Sequence, residues 1–309
     1  MTYKIAVIGL GKIAQDQHVP CITKNKEFAL AATVSSRGGL PGIPNFATPE
    51  ALFASGLGLD CAALCMPPEP RFQIARMAVD AGLDLLLEKP PSPTVGEIQA
   101  LVAYGAKAGR ILFTTWHSQY NAAVDGARKL LAGRRVTKLF VSWKEDVRHW
   151  HPGQDWIWEP GGFGVFDPGI NAFSIVTKIL PQPIFVSSCT LETPRNKQTP
   201  IAAQIRFKPS AGGDADLSCV LDWRQTGEQS WNIDVETADG LSLALRKGGT
   251  VLSVNGEMKI AEPSEEYEAI YSHFARLLAE GASHVDAAPL QLVSDCFMLG
   301  RRVDVEAFL

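Results

Sequence analysis

Residues 3–14 read YKIAVIGLGKIA, and this stretch decides how the first part of the chain folds. Tyr3 to Ile8 is a short β-rich run, and Gly9-Leu10-Gly11-Lys12-Ile13-Ala14 follows as a G-x-G-x-x-A turn leading into a helical segment. Gly9 permits the tight turn, Gly11 lets the backbone approach a pyrophosphate, and small Ala14 lets helix and strand pack closely. The helix N-terminus then offers its unpaired N–H groups to phosphates. The stretch points to dinucleotide binding, with Gly9, Gly11, Lys12 and Ile13 as contacts.

Moving outward, Phe28 to Val34 (FALAATV) reads as the second strand, ending at Ser35-Ser36-Arg37. An acidic residue at this place holds the ribose hydroxyl of NAD, whereas a guanidinium accommodates the extra phosphate of NADP. Two hydroxyls and an arginine form a phosphate cup with no carboxylate to repel it. NADP is therefore the expected cofactor, with NAD as a second acceptor. Asp60 to Met66 reads as a third strand, stopped by Pro67-Pro68 where a cofactor can pass. Leu83 to Leu87 is a continuous apolar fourth strand running into Glu88-Lys89-Pro90, and Ile111 to Thr115 is a fifth, ending at Trp116-His117. Helical patterns between them imply a doubly wound parallel sheet. Ligands bind at the carboxyl ends of such strands, which puts Pro67, Lys89, Trp116 and His117 on the ligand edge.

Near residue 120 the rhythm changes. After a helical pattern at residues 122–132, seven runs of β character between residues 136 and 254 follow one another without helices between them, which argues an antiparallel sheet. Residues 265–279 and 289–303 look helical and are expected to cover part of it. The fold class is thus an N-terminal α/β Rossmann domain (1–120) and a C-terminal α+β domain (121–309) with a large, mostly antiparallel open sheet. The last helix is expected to pack back on the first domain, and the uncovered sheet face to join two copies in a homodimer.

The chain has 309 residues, 46% hydrophobic and 20% charged, with a net charge of −4. These values fit a folded protein of two domains and lack the basic patch of a nucleic-acid binder. No secretory signal or transmembrane-length apolar run is evident, and the six scattered cysteines read as free buried thiols. A cytoplasmic enzyme or small-molecule binder, with no membrane or nucleic-acid partner, is expected.

One stretch is unlike the rest. Residues 143–171, WKEDVRHWHPGQDWIWEPGGFGVFDPGIN, hold four of the seven tryptophans, two of the six histidines, five acidic residues and five glycines. Aromatic faces beside carboxylates and imidazoles suit a polar, carbon-faced ligand such as a sugar. The alternative is a large loop whose tryptophans are core. His149-x-His151 lacks a third ligand in register, so no metal is expected.

The G-x-G-x-x-A turn, Glu88-Lys89-Pro90 and Gly162 to Asn171 together resemble the Gfo/Idh/MocA oxidoreductases, and the resemblance spans the whole chain. Residues 143–153 and 156–171 look most like the family's branch that oxidises L-arabinose or D-galactose at the anomeric carbon. That resemblance implies an NAD(P)-dependent aldose 1-dehydrogenase yielding a lactone. It makes Lys89 the site lysine, with a cis Lys89-Pro90 bond, and Asp167 the site aspartate. It also makes Glu145 and His151 sugar contacts. Trp150, His117 and Trp231 are further candidates, an indole being able to stack on the apolar face of a pyranose, with core packing as the alternative; Glu88, Lys89 and Trp116 are candidate cofactor contacts. The sugar is expected between the domains.

Asn171 departs from the family's pattern, in which a histidine four residues after the aspartate handles the proton. An amide does not take a proton near neutral pH. Asp167 is then the candidate base, Lys89 stabilises charge on O1, and Asn171 orients one or the other. The competing assignment makes Lys89 the base and Asp167 its partner. Other readings are a dehydrogenase of the same family acting on another sugar or a polyol, and a non-catalytic regulator that binds sugar and dinucleotide.

Overall fold

The computed structural model describes residues 2–309. The chain forms two compact units, one running to His117 and taking in Glu265–Ala287, the other made of Ser118–Ser264 and Ala288–Leu309. In the first unit β1 (Tyr3–Ile8), β2 (Phe28–Val34), β3 (Asn45–Phe46), β4 (Cys61–Leu64), β5 (Asp84–Glu88) and β6 (Leu112–Thr115) make a six-stranded sheet. Its order is β3-β2-β1-β4-β5-β6, and every pairing is parallel. The order reverses between β1 and β4, which places the turn after β1 at the topological switch point. The interior strands are apolar because helices cover both faces: β4 is buried at all four positions.

The second unit contains β7 (Val136–Lys144), β8 (Ile184–Pro194), β9 (Ala202–Pro209), β10 (Asp216–Asp222), β11 (Ser230–Thr237), β12 (Ser242–Arg246), β13 (Val251–Val254), β14 (Glu257–Ala261) and β15 (Gly300–Val305). They form one nine-stranded sheet in the order β14-β13-β12-β11-β7-β10-β9-β8-β15. Only β10 with β7 and β15 with β8 pair in parallel. Alternation is clear along β7, where Leu139, Val141 and Trp143 are buried and Lys138 and Phe140 are exposed. The buried face packs on the helices Ala122–Leu131, Phe166–Ile179 and Ala288–Leu299. The opposite face is mostly polar, carrying the ion pairs Lys138–Glu236, Arg206–Asp216 and Arg246–Asp234, with Phe140 among them.

Three sequence expectations change. The helix expected over 289–303 ends at Leu299, and Gly300–Val305 instead pairs with Cys189 to Pro194 of β8; the alternating Arg302-Val303-Asp304-Val305 has a strand's period of two. The helix Glu266–Glu280 does not cover the large sheet. Its buried Tyr271 and Phe274 pack in the first unit, Phe274 stacking on Phe28 at 5.7 Å. This helix, not the last one, returns to the first unit, while Ala288–Leu299 belongs to the second. All six cysteines are free and buried. Among the described residues no helix is long and apolar enough to cross a membrane.

Candidate active site

In the first unit the turn after β1 has the geometry a dinucleotide requires. Gly9 has φ +92°, and a Cβ there would lie 2.6 Å from the Met66 backbone nitrogen, so a larger residue would push apart the turns that follow β1 and β4. A Cβ on Gly11 would meet nothing within 4 Å, which leaves its backbone open to a phosphate. Lys12 and Ile13 are exposed on the first helical turn, with Lys12 paired to Asp16. At the end of β2 the Ser35 hydroxyl accepts the Arg37 backbone N–H at 3.1 Å, closing a turn that leaves Ser36 and Arg37 exposed. Pro67 is exposed after β4. The residues present therefore fit a nicotinamide dinucleotide.

Beyond β5 the Lys89-Pro90 peptide is cis, as expected. Glu88, expected against the cofactor, is instead buried and turned inward. Its Oε1 accepts from the Tyr267 hydroxyl at 2.7 Å and pairs with His18 Nε2 at 3.0 Å, while Oε2 accepts the Lys89 backbone N–H at 2.8 Å. Burial pushes the Glu88 carboxyl up, but the hydrogen bond and charge of His18, the charge of His117 and the Tyr267 hydroxyl outweigh it and hold it down to about 2. For His18, burial acts downward while Cys65 and Glu88 raise the imidazole to about 10. Sequence reasoning missed His18, Tyr267 and Arg71. Arg71 is 2% exposed and donates to the carbonyls of Met66, Glu88 and Pro90. A buried arginine of this kind has no local sequence signal, since two of its carbonyl partners, Glu88 and Pro90, lie 17 and 19 residues away.

Two further expected contacts have protein partners in this unit. Trp116 is buried and gives its indole N–H to the Asp286 carbonyl at 2.8 Å, so its ring is core rather than a cofactor surface. His117 pairs through Nδ1 with Glu266 at 2.9 Å and stacks on Tyr267. Burial lowers its basicity, yet the charges of Glu266 and Glu88 raise it overall. It is thus a salt-bridged member of the Glu88 surroundings as well as a residue of the ligand edge.

The second unit gathers most of the expected sugar contacts. β7 and β10 run parallel, so Glu145 after one and Trp223 after the other emerge side by side, and Glu145 N–H bonds Asp222 O at 3.0 Å. The Glu145 carboxylate is buried and accepts from two indoles, Trp223 Nε1 at 3.3 Å and Trp231 Nε1 at 3.0 Å. Asp146 caps the short helix Val147–Trp150, accepting the Arg148 N–H at 3.0 Å, and this turn delivers His151. His151 Nε2 lies 3.5 Å from Asp167 Oδ2 and 4.0 Å from Glu145 Oε1, with Nδ1 against Gln154 at 3.3 Å.

Asp167 is in the first turn of Phe166–Ile179, where the helix dipole favours its anion. The turn into that helix depends on Gly164, at φ +53°, where a Cβ would lie 2.4 Å from the Pro200 carbonyl oxygen. Asn171 follows one turn later on the same helix, half-buried, and its amide makes no hydrogen bond with any described residue. Trp150 is 38% exposed and tilts against Trp231 at 5.6 Å. Trp231 is therefore in part a support for Glu145. Among the described residues no three His, Cys, Asp or Glu side chains are grouped to hold a metal ion.

A profile described as an oxidoreductase family with an NAD-binding Rossmann fold, Gfo/Idh/MocA, matches residues 3–116. Galactose 1-dehydrogenase of Pseudomonas fluorescens is 42% identical over 99% of this chain and 98% of its own. The chain belongs to the Gfo/Idh/MocA oxidoreductase family. A crystal structure of D-galactose-1-dehydrogenase from Rhizobium etli superposes with a TM-score of 0.94 at 48% identity, covering 100% of this chain and 98% of that one. D-xylose 1-dehydrogenase (NADP(+)) 2 of Haloferax volcanii is 23% identical over 87% of this chain and 84% of its own. Like other Gfo/Idh/MocA members the chain is an oxidoreductase with a nicotinamide cofactor, and both of its folds, the parallel six-stranded sheet and the mixed nine-stranded one, match the family.

Proposed function

We propose that this enzyme oxidises D-galactose at the anomeric carbon to the lactone with NADP as acceptor, taking L-arabinose as a second substrate and NAD as a poorer acceptor. The reading is carried by the Glu145–His151–Asp167 cluster beside the half-buried Trp231 and the exposed Trp150, hydrogen-bonding groups next to indole rings, which suit a pyranose; Trp223 is fully buried and serves as a donor to Glu145. The galactose dehydrogenases similar to this chain over its whole length support it. L-arabinose shares the galactose configuration at C2 to C4 and lacks one hydroxymethyl group, a difference worth about 1–3 kcal/mol in a pocket.

A nicotinamide dinucleotide held by the glycine turn after β1 would supply the acceptor for the hydride that leaves C1. Asp167 takes the O1 proton as the C1–O1 bond gains carbonyl character, and Lys89 donates a hydrogen bond to the charge building on O1. Glu145, aimed by two indole N–H groups, accepts from sugar hydroxyls. His151 bonds a hydroxyl beside it, and Asn171 orients the O1 hydroxyl toward Asp167. Ser36 and Arg37 hold the phosphate that distinguishes NADP.

The test follows reduced-cofactor absorbance with D-galactose, L-arabinose, D-fucose and D-xylose, using NADP and NAD in parallel. D-galactose with NADP is expected to give the highest kcat/KM. Binding of sugar and dinucleotide without turnover would refute the enzyme reading in favour of a regulator. A preference for NAD of about tenfold or more would refute the role of Ser36 and Arg37.

A further inference from the structure

The network beneath Glu88-Lys89-Pro90 has no part in the chemistry above. It joins three segments distant in sequence: the wide helical turn Ala14–His18 that follows the glycine loop, the end of β5, and the helix Glu266–Glu280. His18 is wholly buried, and both its ring nitrogens are used. Nε2 meets Glu88 at 3.0 Å and Nδ1 meets the Tyr271 hydroxyl at 2.8 Å. Tyr267 donates to the same Glu88 oxygen, and its ring stands edge-on to His18 at 5.0 Å. The remaining Glu88 oxygen takes the Lys89 backbone N–H. On the carbonyl side, Arg71 bonds Glu88 and Pro90.

We propose that His18 and Tyr267 are positioning residues for Lys89: they orient the buried Glu88 carboxylate, which in turn fixes the backbone from which the lysine side chain departs. Arg71 grips the carbonyls of this segment, but its amide side is held by Glu88. Removing one donor leaves that carboxylate free to rotate away from the Lys89 N–H. A displacement of about 1 Å at a reacting group costs on the order of a hundredfold in rate. The network also ties the lysine to the cofactor turn, because His18 lies four residues beyond Ala14, the last position of the glycine motif.

This inference rests on Lys89 being the site lysine, and the experiment separates the two. Tyr267→Phe and His18→Gln are compared with wild type and with Tyr104→Phe, which removes a bond to Asp80 elsewhere in the same unit. The first two are expected to lower kcat on D-galactose by about tenfold or more with KM for sugar and Kd for NADP nearly unchanged, and to move the pH profile of kcat. Cys65, His117, Glu266, Tyr271 and Lys89 also face this network, so the profile is read beside that of Lys89→Arg. Reductive methylation with a carbon-13 label reads the lysine without substrate. The Lys89 resonance, identified by its loss in Lys89→Arg, should shift in Tyr267→Phe and stay in place in Tyr104→Phe. Tyr267→Phe keeps the ring and its packing, so unchanged kcat together with an unmoved resonance overturns the proposal whatever happens to the melting temperature. A wild-type protein inactive on every aldose overturns the aldose reading alone, and the resonance still decides the role of His18 and Tyr267.

Discussion

Glu88 in the first unit and Asp167 in the second are both buried carboxylates, 3% and 5% exposed, yet their surroundings differ in kind. Glu88 faces a cationic imidazole, a phenol and a backbone N–H, all at 2.7–3.0 Å. Asp167 sits in a helix's first turn, and it and a second carboxylate, Glu145, face the same imidazole nitrogen, His151 Nε2, at 3.5 and 4.0 Å. A carboxylate with short donors on both oxygens and an opposite charge keeps its charge and does not accept a proton. It is suited to holding structure. A carboxylate grouped with another acid and a histidine is suited to chemistry on a hydroxyl-bearing ligand. Burial alone would not have separated these roles; the identity of the donors does.

The largest expected effect tests the chemical half of that contrast. Asp167→Asn keeps the size and removes the proton acceptor, and kcat on D-galactose should fall by about 10²–10⁴ while Kd for NADP stays the same. Steady-state kinetics with dinucleotide binding by fluorescence checks both. Near-normal turnover would transfer the base to Lys89 and make Asp167 its partner.

A smaller effect is expected at the wall of the sugar cluster. Trp231→Phe leaves a ring near Trp150 and Trp143 but removes the N–H that Glu145 Oε2 accepts. A hydrogen bond to a charged group is worth about 1.5–3 kcal/mol, so kcat/KM for D-galactose should fall by roughly tenfold or somewhat more, largely through KM. A loss confined to kcat would place Glu145 in the proton chemistry rather than in sugar recognition, and the second cluster would then hold two reacting carboxylates.

Much of this contrast was legible in the sequence on one side only. The strand before Gly9, the phosphate turn and the apolar β4 and β5 announce themselves locally, because a parallel sheet covered on both faces needs continuous hydrophobic runs. The Trp143 to Asn171 stretch was equally conspicuous, and Glu145, His151 and Asp167 do converge. The buried partnerships of Glu88, Trp116 and His117 were not foreseen, since the partners, His18, Asp286 and Glu266, lie 70, 170 and 149 residues away. No window of sequence displays such pairings. The C-terminal strand was missed for another reason: Gly300–Val305 follows a helix directly, and its alternation runs over only Arg302-Val303-Asp304-Val305, too short a stretch to stand out from the helical pattern before it.

The smallest expected effect tests the structural half, through the pH dependence of stability. Glu88 is held down to about 2 against an ordinary value of 4.5, so its contribution is complete above 4.5 and is lost as pH falls toward 2. His18 is raised to about 10 from 6.5, so its contribution is complete below 6.5 and is lost as pH rises toward 10. The pair therefore stabilises the fold most between pH 4.5 and 6.5. Comparing the melting temperatures of wild type and His18→Gln across pH cancels the titration of groups common to both. The gap should be widest in that window, on the order of a few degrees, and should narrow in both directions, because a buried ion pair offsets much of its attraction by lost hydration. A gap that stays constant with pH would mean that Glu88 and His18 meet as neutral groups. Glu88 would then carry a proton as Asp167 is proposed to do during turnover, and the division between a carboxylate that holds and one that reacts would fall.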